Sequence, residues 1–180
     1  IAQTAMSHAA KQEWADKILN GDSLIAFCLT EPQAGSDASA IRTTAVKDGN
    51  EWVLNGTKCF ISHAPVADGF LVFACSDPSL SSGKGISAFF VEKERGIQIG
   101  TIENKMGLKL SCTAEVILED VRVPEDHIVG SLGSGLKYAL GGINDARVVS
   151  MAQALGISQA AVDFATTYAQ TRVTFGKRII

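Results

Sequence analysis

The chain has 180 residues, of which 46% are hydrophobic and 19% charged, enough for one full domain and part of a second. This composition, with only four prolines, excludes a disordered or linker-like chain. The formal net charge of -3 gives no basic field that would attract a polyanion, so we expect no nucleic-acid partner.

A helix is predicted first, from about residue 5 to residue 19, because apolar residues recur every four positions and Asn20-Gly21 provides a stop signal. From residue 25 the period changes to two, which predicts strands. Asp48-Gly49-Asn50 predicts a hairpin turn between the second and third of them. The predicted strands lie near residues 25–29, 42–47, 51–54, 58–61, 70–74, 86–91, 97–102 and 115–121.

The helical period returns near residue 136 and persists to about residue 170, with apolar residues all around the helix. Such a helix needs further helices as partners, as in a bundle. We therefore predict an α+β chain in which an antiparallel β-barrel or β-sandwich middle domain is flanked by helices of an otherwise all-α bundle. The predicted divisions are the end of an N-terminal helical domain at 1–22, a β-domain at 23–130 and the start of a C-terminal helical domain at 131–180.

Cellular location is constrained by three features of the sequence. No unbroken apolar run approaches about 18 residues and the N-terminus lacks a signal-peptide pattern, so we expect an intracellular protein without a membrane partner. The cysteines are scattered without a Cys-x-x-Cys pair, which fits buried thiols better than disulfides or a metal site.

The chain begins without methionine and ends directly after a charged segment, so we expect it to be a fragment.

The glycines before the long helix do not form a dinucleotide-binding motif. Gly130, Gly133 and Gly135 have the wrong spacing for Gly-x-Gly-x-x-Gly and follow no βαβ unit. We interpret them as a flexible entry to the helix.

The turn after the first predicted strand reads Thr-Glu-Pro-Gln-Ala-Gly-Ser-Asp over residues 30–37. It combines two hydroxyl groups with a glycine that lets backbone approach a ligand. Judged on these residues alone, an ordinary turn between two strands is the favoured interpretation, and a ligand-binding turn is the alternative.

This segment resembles the TEPxAGSD signature of acyl-CoA dehydrogenases, and four further segments resemble motifs of that family in the same order. They are Asn55-Gly56-Thr57-Lys58 with Phe60-Ile61-Ser62, Lys105-Met106-Gly107 with Ser111, Leu118-Glu119-Asp120 with Val123-Pro124, and Thr171-Arg172-Val173-Thr174-Phe175-Gly176. Asp145-Ala146-Arg147 lies where the family's following helix carries an arginine. The resemblance covers essentially the whole chain.

The resemblance implies that the β-domain binds FAD. Residues 27–30 would lie along the isoalloxazine ring, and residues 60–62 would cover its other side, with Ser62 near N5. Phe60 and Ser62 replace the tryptophan and threonine usual in the family but retain an aromatic wall and a hydroxyl. The implied cofactor-binding residues are Phe27, Cys28, Leu29, Thr30, Gly35, Ser36, Phe60, Ile61, Ser62, Arg172, Thr174 and Phe175.

The resemblance also implies an acyl-CoA substrate and further partners. Ser36 would contact the CoA portion, and Asn144 and Arg147 would meet its phosphates. Arg172 would reach the FAD pyrophosphate of a neighbouring subunit, so a homo-oligomer, typically a tetramer, is implied. An electron-transferring flavoprotein would take the electrons. The implied location is the cytoplasm in bacteria or the mitochondrial matrix in eukaryotes.

The reaction implied is α,β-dehydrogenation of an acyl-CoA thioester, which requires a general base. Some family members place it directly before the helix arginine, where this chain has Ala146, and Asp145 would point about 100° away around the helix. We therefore expect the catalytic base downstream of Ile180 and no catalytic residue or metal in this chain. The alternatives are an acyl-CoA oxidase or flavin monooxygenase of the same fold, and a non-catalytic acyl-CoA-binding homologue.

Overall fold

A computed structural model describes residues 8–80 and 83–180. Its helices are α1 (His8–Leu19) and α2 (Gly135–Thr171). Its strands are β1 (Ile25–Cys28), β2 (Thr44–Asp48), β3 (Glu51–Ser62), β4 (Gly69–Cys75), β5 (Ile86–Glu92), β6 (Gln98–Ile102), β7 (Thr113–Pro124), β8 (Ile128–Val129), β9 (Val173–Thr174) and β10 (Lys177–Arg178). The predicted first turn of the leading helix, at residues 5–7, lies outside the described residues.

Strands β1 to β8 form one sheet in the order β6-β7-β3-β2-β4-β5-β8, with β1 also paired to β4. The predicted α+β class is confirmed, but the sheet is mixed, because β1 and β2 both run parallel to β4. Alternating side chains look the same in either direction, so the sequence pattern could not show this. Within the described residues the sheet has two edges, at β6 and β8. The predicted barrel or sandwich is therefore not a closed barrel, and the observed sheet is the open form.

The core lies around β4 and β5, which are buried along almost their whole length. Their near-continuous apolar sequences explain this, since a strand covered on both faces has no polar side to expose. Phe70, Val72 and Phe89 are fully buried there, and the ring of Trp52 from β3 lies 5.6 Å from that of Phe89. Strand β4 therefore provides a rigid base for the segments that it pairs with.

Strand β3 joins the two strands predicted at 51–54 and 58–61 into one strand of 12 residues. Register shifts in its pairing with β7, between Leu54 and Gly56 and between Lys58 and Ile61, interrupt the alternation without ending the strand. Strands β8, β9 and β10 were not predicted, because two residues are too few to show a period.

The chain divides into two compact units, residues 1–140 and residues 141–180. Helix α2 begins in the first and continues into the second, where β9 and β10 form a hairpin. Large apolar side chains on the second unit are exposed, for example Val148, Leu155 and Phe164, as the all-round apolar pattern predicted. Helix α2 is long and apolar enough to cross a membrane. Core helices of soluble proteins share these properties, so its length and composition are weak evidence for a membrane span.

Candidate functional site

A buried ion pair joins the segment after β1 to strand β3. Lys58 Nζ lies 2.7 Å from Glu31 Oε1, and the two side chains are 0% and 3% exposed. The ammonium also donates to the carbonyl oxygens of Leu29, at 3.2 Å, and Phe73, at 2.6 Å. An ammonium has three N–H donors, so each of them has a partner here and the buried charge is fully satisfied.

The Glu31 carboxylate is satisfied in the same way. Oε1 accepts from the backbone N–H of Thr43 at 3.0 Å and from its hydroxyl at 2.5 Å. Oε2 accepts from the backbone N–H of Arg42 at 2.6 Å and from Gln33 Nε2 at 2.7 Å. Glu31 thus closes the loop of residues 31–43 on itself and links that loop to Lys58.

Both members of the pair have shifted pKa values. Burial opposes ionisation of Glu31, but the Lys58 charge and the hydrogen bonds from Lys58, Thr43 and Arg42 outweigh it and lower the pKa to about 2. Burial also lowers the pKa of Lys58, and the Glu31 carboxylate counteracts that shift. At neutral pH Glu31 is therefore held as a carboxylate against the Lys58 ammonium.

The end of β3 carries the second group of predicted cofactor residues. Phe60 lies in the register shift and has φ 58°, an uncommon conformation for a residue with a side chain. Lys58, Cys59 and Ile61 are buried, whereas Phe60 is 63% exposed and Ser62 is exposed. The register shift thus turns the Phe60 ring towards solvent, whereas the side chains on either side of it in β3 are packed in the interior.

The first group of predicted residues, at the end of β1, lies directly beside this point. The backbone N–H of Cys59 donates to the carbonyl of Thr30 over 2.9 Å. Phe27 is half-buried with its ring 4.9 Å from that of Phe73, while Cys28 and Leu29 are buried. Burial raises the pKa of the Cys28 thiol to about 12, so it is an inert packed group. Ligand contacts by Cys28 would have to come from its backbone.

The loop that follows holds the two remaining predicted residues of this unit. Glu31 and Ala34 exchange two backbone hydrogen bonds of 3.0 Å, which makes a tight turn before Gly35 and Ser36. Both are exposed, and a methyl group added at Gly35 would meet no atom within 4 Å. The structure thus brings residues 27–30 and 60–62 together through Glu31, Lys58 and the Thr30–Cys59 bond, and residues 35–36 lie on the loop that Glu31 closes.

The predicted residues of the second unit lie on α2 and on the hairpin after it. Arg147 Nη1 donates to Asn144 Oδ1 at 2.9 Å, one helical turn away, and both side chains are exposed. Phe175 lies at the hairpin turn with φ 51° and a fully exposed ring. Arg172 and Thr174 are likewise exposed.

The importance of Glu31 and Lys58 was missed at the sequence level, although both fall inside the quoted motifs. A signal existed, because Lys58 shares strand parity with the buried Trp52 and Leu54. A lysine on the buried face of a strand requires an acidic partner. The turn at residues 30–37 contains two acidic residues, Glu31 and Asp37. Aspartate is common in turns because its side chain bonds nearby backbone, whereas glutamate is not, so Glu31 is the candidate partner of Lys58.

Two cavities of about 320 and 350 Å³ lie in another part of the first unit, and none of the predicted site residues lines either of them. Both are bordered by Trp52 and Ser76. The indole N–H of Trp52 is buried and, within the described residues, has no hydrogen-bond partner.

Comparison with known proteins places this geometry in a family. The sequence model of the acyl-CoA dehydrogenase middle domain matches residues 26–121, and that of the C-terminal domain of the same family matches residues 133–180. The chain is 44% identical to cyclohexane-1-carbonyl-CoA dehydrogenase of Syntrophus aciditrophicus, covering 98% of this chain and 47% of that protein. It is 44% identical to the mitochondrial short-chain specific acyl-CoA dehydrogenase of Homo sapiens, covering 94% and 41%.

A solved structure agrees with the sequence comparisons. The butyryl-CoA dehydrogenase of Megasphaera elsdenii superimposes with a TM-score of 0.92 at 40% identity, covering 96% of this chain and 45% of that one. The chain therefore spans less than half the length of the relatives that it matches. Taken with the ordered motifs, these matches show that the chain belongs to the acyl-CoA dehydrogenase family.

Proposed function

We propose that the chain supplies the flavin and CoA contacts of an FAD-dependent enzyme that dehydrogenates acyl-CoA thioesters to trans-2-enoyl-CoA. The observation that carries this proposal is the meeting of residues 27–30 and 60–62 at the Thr30–Cys59 hydrogen bond. These are the two segments that the family resemblance assigns to the flavin. Relatives named as dehydrogenases of cyclohexane-1-carbonyl-CoA and butyryl-CoA support the same substrate class.

The residues at this point fit a flat aromatic cofactor with a polar edge. Phe60 presents an exposed ring, and the hydroxyl groups of Thr30 and Ser62 form no hydrogen bond with any described residue. Free hydroxyl groups beside an exposed aromatic ring can donate to the polar edge of a ligand that packs on that ring. FAD, when bound, would accept the hydride that leaves the β-carbon of the substrate.

The chain's own contribution is to bind and orient. Thr30 and Ser62 would donate hydrogen bonds to the flavin edge and stabilise the negative charge that develops there. Gly35 leaves space for a ligand to approach the backbone, and Ser36 would contact the CoA portion. Arg147 would meet CoA phosphate oxygens, with Asn144 holding its guanidinium in place.

The catalytic base is proposed to lie outside the sequence shown. Ala146 has no group that can accept the α-proton, and Asp145 occupies a different face of α2 from the residue before Arg147. We further propose that the β-domain occupies residues 23–130 and that the helical domain starts at residue 131.

The proposal extends to assembly and location. Arg172 would contact the FAD of a neighbouring subunit in a homotetramer, and its exposure leaves it free to do so. Thr174 and Phe175, which are also exposed, would take part in FAD binding. An electron-transferring flavoprotein would reoxidise the flavin. A relative from Homo sapiens is mitochondrial, so the matrix would be the location in a eukaryote and the cytoplasm in a bacterium.

The test uses the protein as its gene encodes it. Its visible spectrum is recorded without oxygen before and after addition of acyl-CoAs of different chain length. Bleaching of the flavin bands by one chain-length class supports the proposal and names the substrate. A protein that binds no flavin contradicts it, flavin that never bleaches indicates a non-catalytic homologue, and rapid peroxide formation in air indicates an oxidase.

A further inference from the structure

We propose that Glu31 and Lys58 act as positioning residues that hold the two flavin-contacting segments, residues 27–30 and 60–62, in a fixed relation to each other. This inference rests on the proposed function, because it assigns a task to residues that would not themselves touch the flavin. We call the two residues with their hydrogen bonds the buried clamp.

The lysine side of the clamp brings two backbone carbonyls and one carboxylate to a single atom. Lys58 Nζ binds the carbonyls of Leu29 and Phe73 as well as Glu31, so it joins the end of β1, strand β4 and the loop after β1 to strand β3. Because β4 is packed in the core, these bonds tie the flavin-contacting segments to one of the most buried strands of the sheet.

The glutamate side fixes the loop that carries Gly35 and Ser36. Its two oxygens receive hydrogen bonds from Gln33 at one end of the loop and from Arg42 and Thr43 at the other. A displaced Glu31 would release both ends together, since no other carboxylate takes these donors.

The clamp lies within two residues of each flavin-contacting segment. Glu31 directly follows Thr30, and Lys58 directly precedes Cys59, whose N–H binds the Thr30 carbonyl. Lys58 also marks the start of the register shift that turns the Phe60 ring outward. Movement of either charged residue would therefore displace Thr30 and Phe60 relative to each other.

Stability alone is a weak reason for this arrangement. Replacing both members of a buried ion pair by apolar residues of similar volume is often neutral or stabilising, because two charges no longer have to be desolvated. The Glu31–Lys58 pair is better explained by the positions in which its hydrogen bonds hold the surrounding backbone. Buried polar groups play a comparable part in some other folds, where they fix the register of packed elements.

The test compares two double variants of the protein as its gene encodes it. Glu31→Leu/Lys58→Met removes the clamp, and Lys47→Met/Glu125→Leu removes an exposed lysine–glutamate pair of similar length, 2.6 Å. Three quantities are measured: the Kd for FAD, the shape of the bound-flavin absorption bands, and the unfolding midpoint of the flavin-free protein.

We expect the clamp variant to unfold cooperatively but to bind FAD at least tenfold more weakly, with absorption bands closer to those of free flavin. The control variant should match the wild type in all three quantities. A folded clamp variant with wild-type Kd and spectrum, beside a wild type that acyl-CoA bleaches, overturns this inference and leaves the proposed function intact. A wild type that binds no flavin overturns both.

If the clamp variant does not fold, the test uses a variant that removes a single hydrogen bond of the clamp. Thr43→Val removes the 2.5 Å hydroxyl bond to Glu31 and leaves the ion pair in place. We expect it to weaken FAD binding severalfold and to unfold cooperatively at a somewhat lower midpoint, because one buried hydrogen bond to the carboxylate is lost. An unchanged Kd for FAD in that variant would overturn the inference.

Discussion

The backbone N–H of Cys59 and the carbonyl of Thr30 are joined by a 2.9 Å hydrogen bond, although they lie 29 positions apart in the sequence. Each of the two residues adjoins a buried charge, Lys58 before Cys59 and Glu31 after Thr30. This one bond therefore marks the place where two separate sequence motifs meet in the candidate site.

The first prediction concerns the loss of one partner of the buried pair. Lys58→Met leaves the Glu31 carboxylate buried without a counter-charge, which typically costs about 3–5 kcal/mol. We expect the free energy of unfolding, measured by urea titration of the flavin-free protein, to fall by that amount. Lys47→Met, which breaks the exposed pair with Glu125, should change it by about 1 kcal/mol or less. Equal effects of the two changes would contradict the burial argument.

The second prediction is the acid dependence of stability. The pKa of Glu31 is lowered from its ordinary value of 4.5 to about 2, so between these values the unfolded chain binds the proton that the folded chain does not. The stabilisation is complete above about pH 4.5 and is lost as the pH falls towards 2. It amounts to on the order of 3 kcal/mol at about 1.4 kcal/mol per pKa unit.

This pH dependence can be isolated by difference. Urea unfolding of the wild type and of Glu31→Leu/Lys58→Met is followed between pH 2 and pH 6, since the variant lacks this carboxyl group but keeps the others. The gap, defined as the free energy of unfolding of the wild type minus that of the variant, should fall by on the order of 3 kcal/mol from pH 6 to pH 2, whichever protein is the more stable at pH 6. A gap that stays constant across this range would show that Glu31 titrates normally in the folded protein.

The third prediction concerns the close approach of β3 to the loop that Glu31 closes. A methyl group at Gly56 would clash with the Thr43 hydroxyl oxygen and lie 2.8 Å from the Thr43 Cα. Since backbone cannot yield as a flexible side chain can, Gly56→Ala should push Thr43 away from Glu31 and cost about 1–3 kcal/mol of unfolding free energy. Gly56 also has φ +154°, so the control is Gly49→Ala, where φ is likewise positive at +61° but a methyl group meets nothing within 4 Å. Thermal unfolding of both variants checks the difference.

Much of the fold followed from patterns in the sequence. The period-two run at Ile25, Phe27 and Leu29 located β1, and the long apolar helix was predicted within a residue or so of its ends. Strand direction was beyond reach, because alternation is the same whether β1 runs parallel or antiparallel to β4. Strand β8, with two residues, is too short to have a period.

The candidate site was predictable only in part. Family resemblance identified the segments around Thr30 and Phe60, but residue types alone left an ordinary turn as an open interpretation. The Glu31–Lys58 pair depends on contact between residues 27 positions apart, which no local pattern reports. The outward turn of Phe60 depends on a register shift against β7, which the sequence of β3 does not show by itself. Functional residues in unusual backbone conformations are where local rules are expected to fail.

The last prediction separates backbone strain from ligand contact at Phe60. A residue with a side chain at φ 58° costs about 1–2 kcal/mol, and glycine removes that cost while losing about 1 kcal/mol to its greater freedom in the unfolded chain. Because the ring is 63% exposed, little packing is lost. Phe60→Gly should therefore leave the free energy of unfolding within about 1 kcal/mol of the wild type.

Flavin binding should respond differently from stability. Removing the ring removes the proposed aromatic wall, and we expect the Kd for FAD, measured by fluorescence titration, to rise at least tenfold. Leu108 offers a matched control, since it has φ 49° and is 69% exposed but belongs to neither flavin-contacting segment. Leu108→Gly relieves the same kind of strain and should leave the Kd unchanged. If both variants lose FAD equally, the effect comes from backbone flexibility; if neither does, Phe60 does not contact the flavin and its conformation serves the β3–β7 register alone.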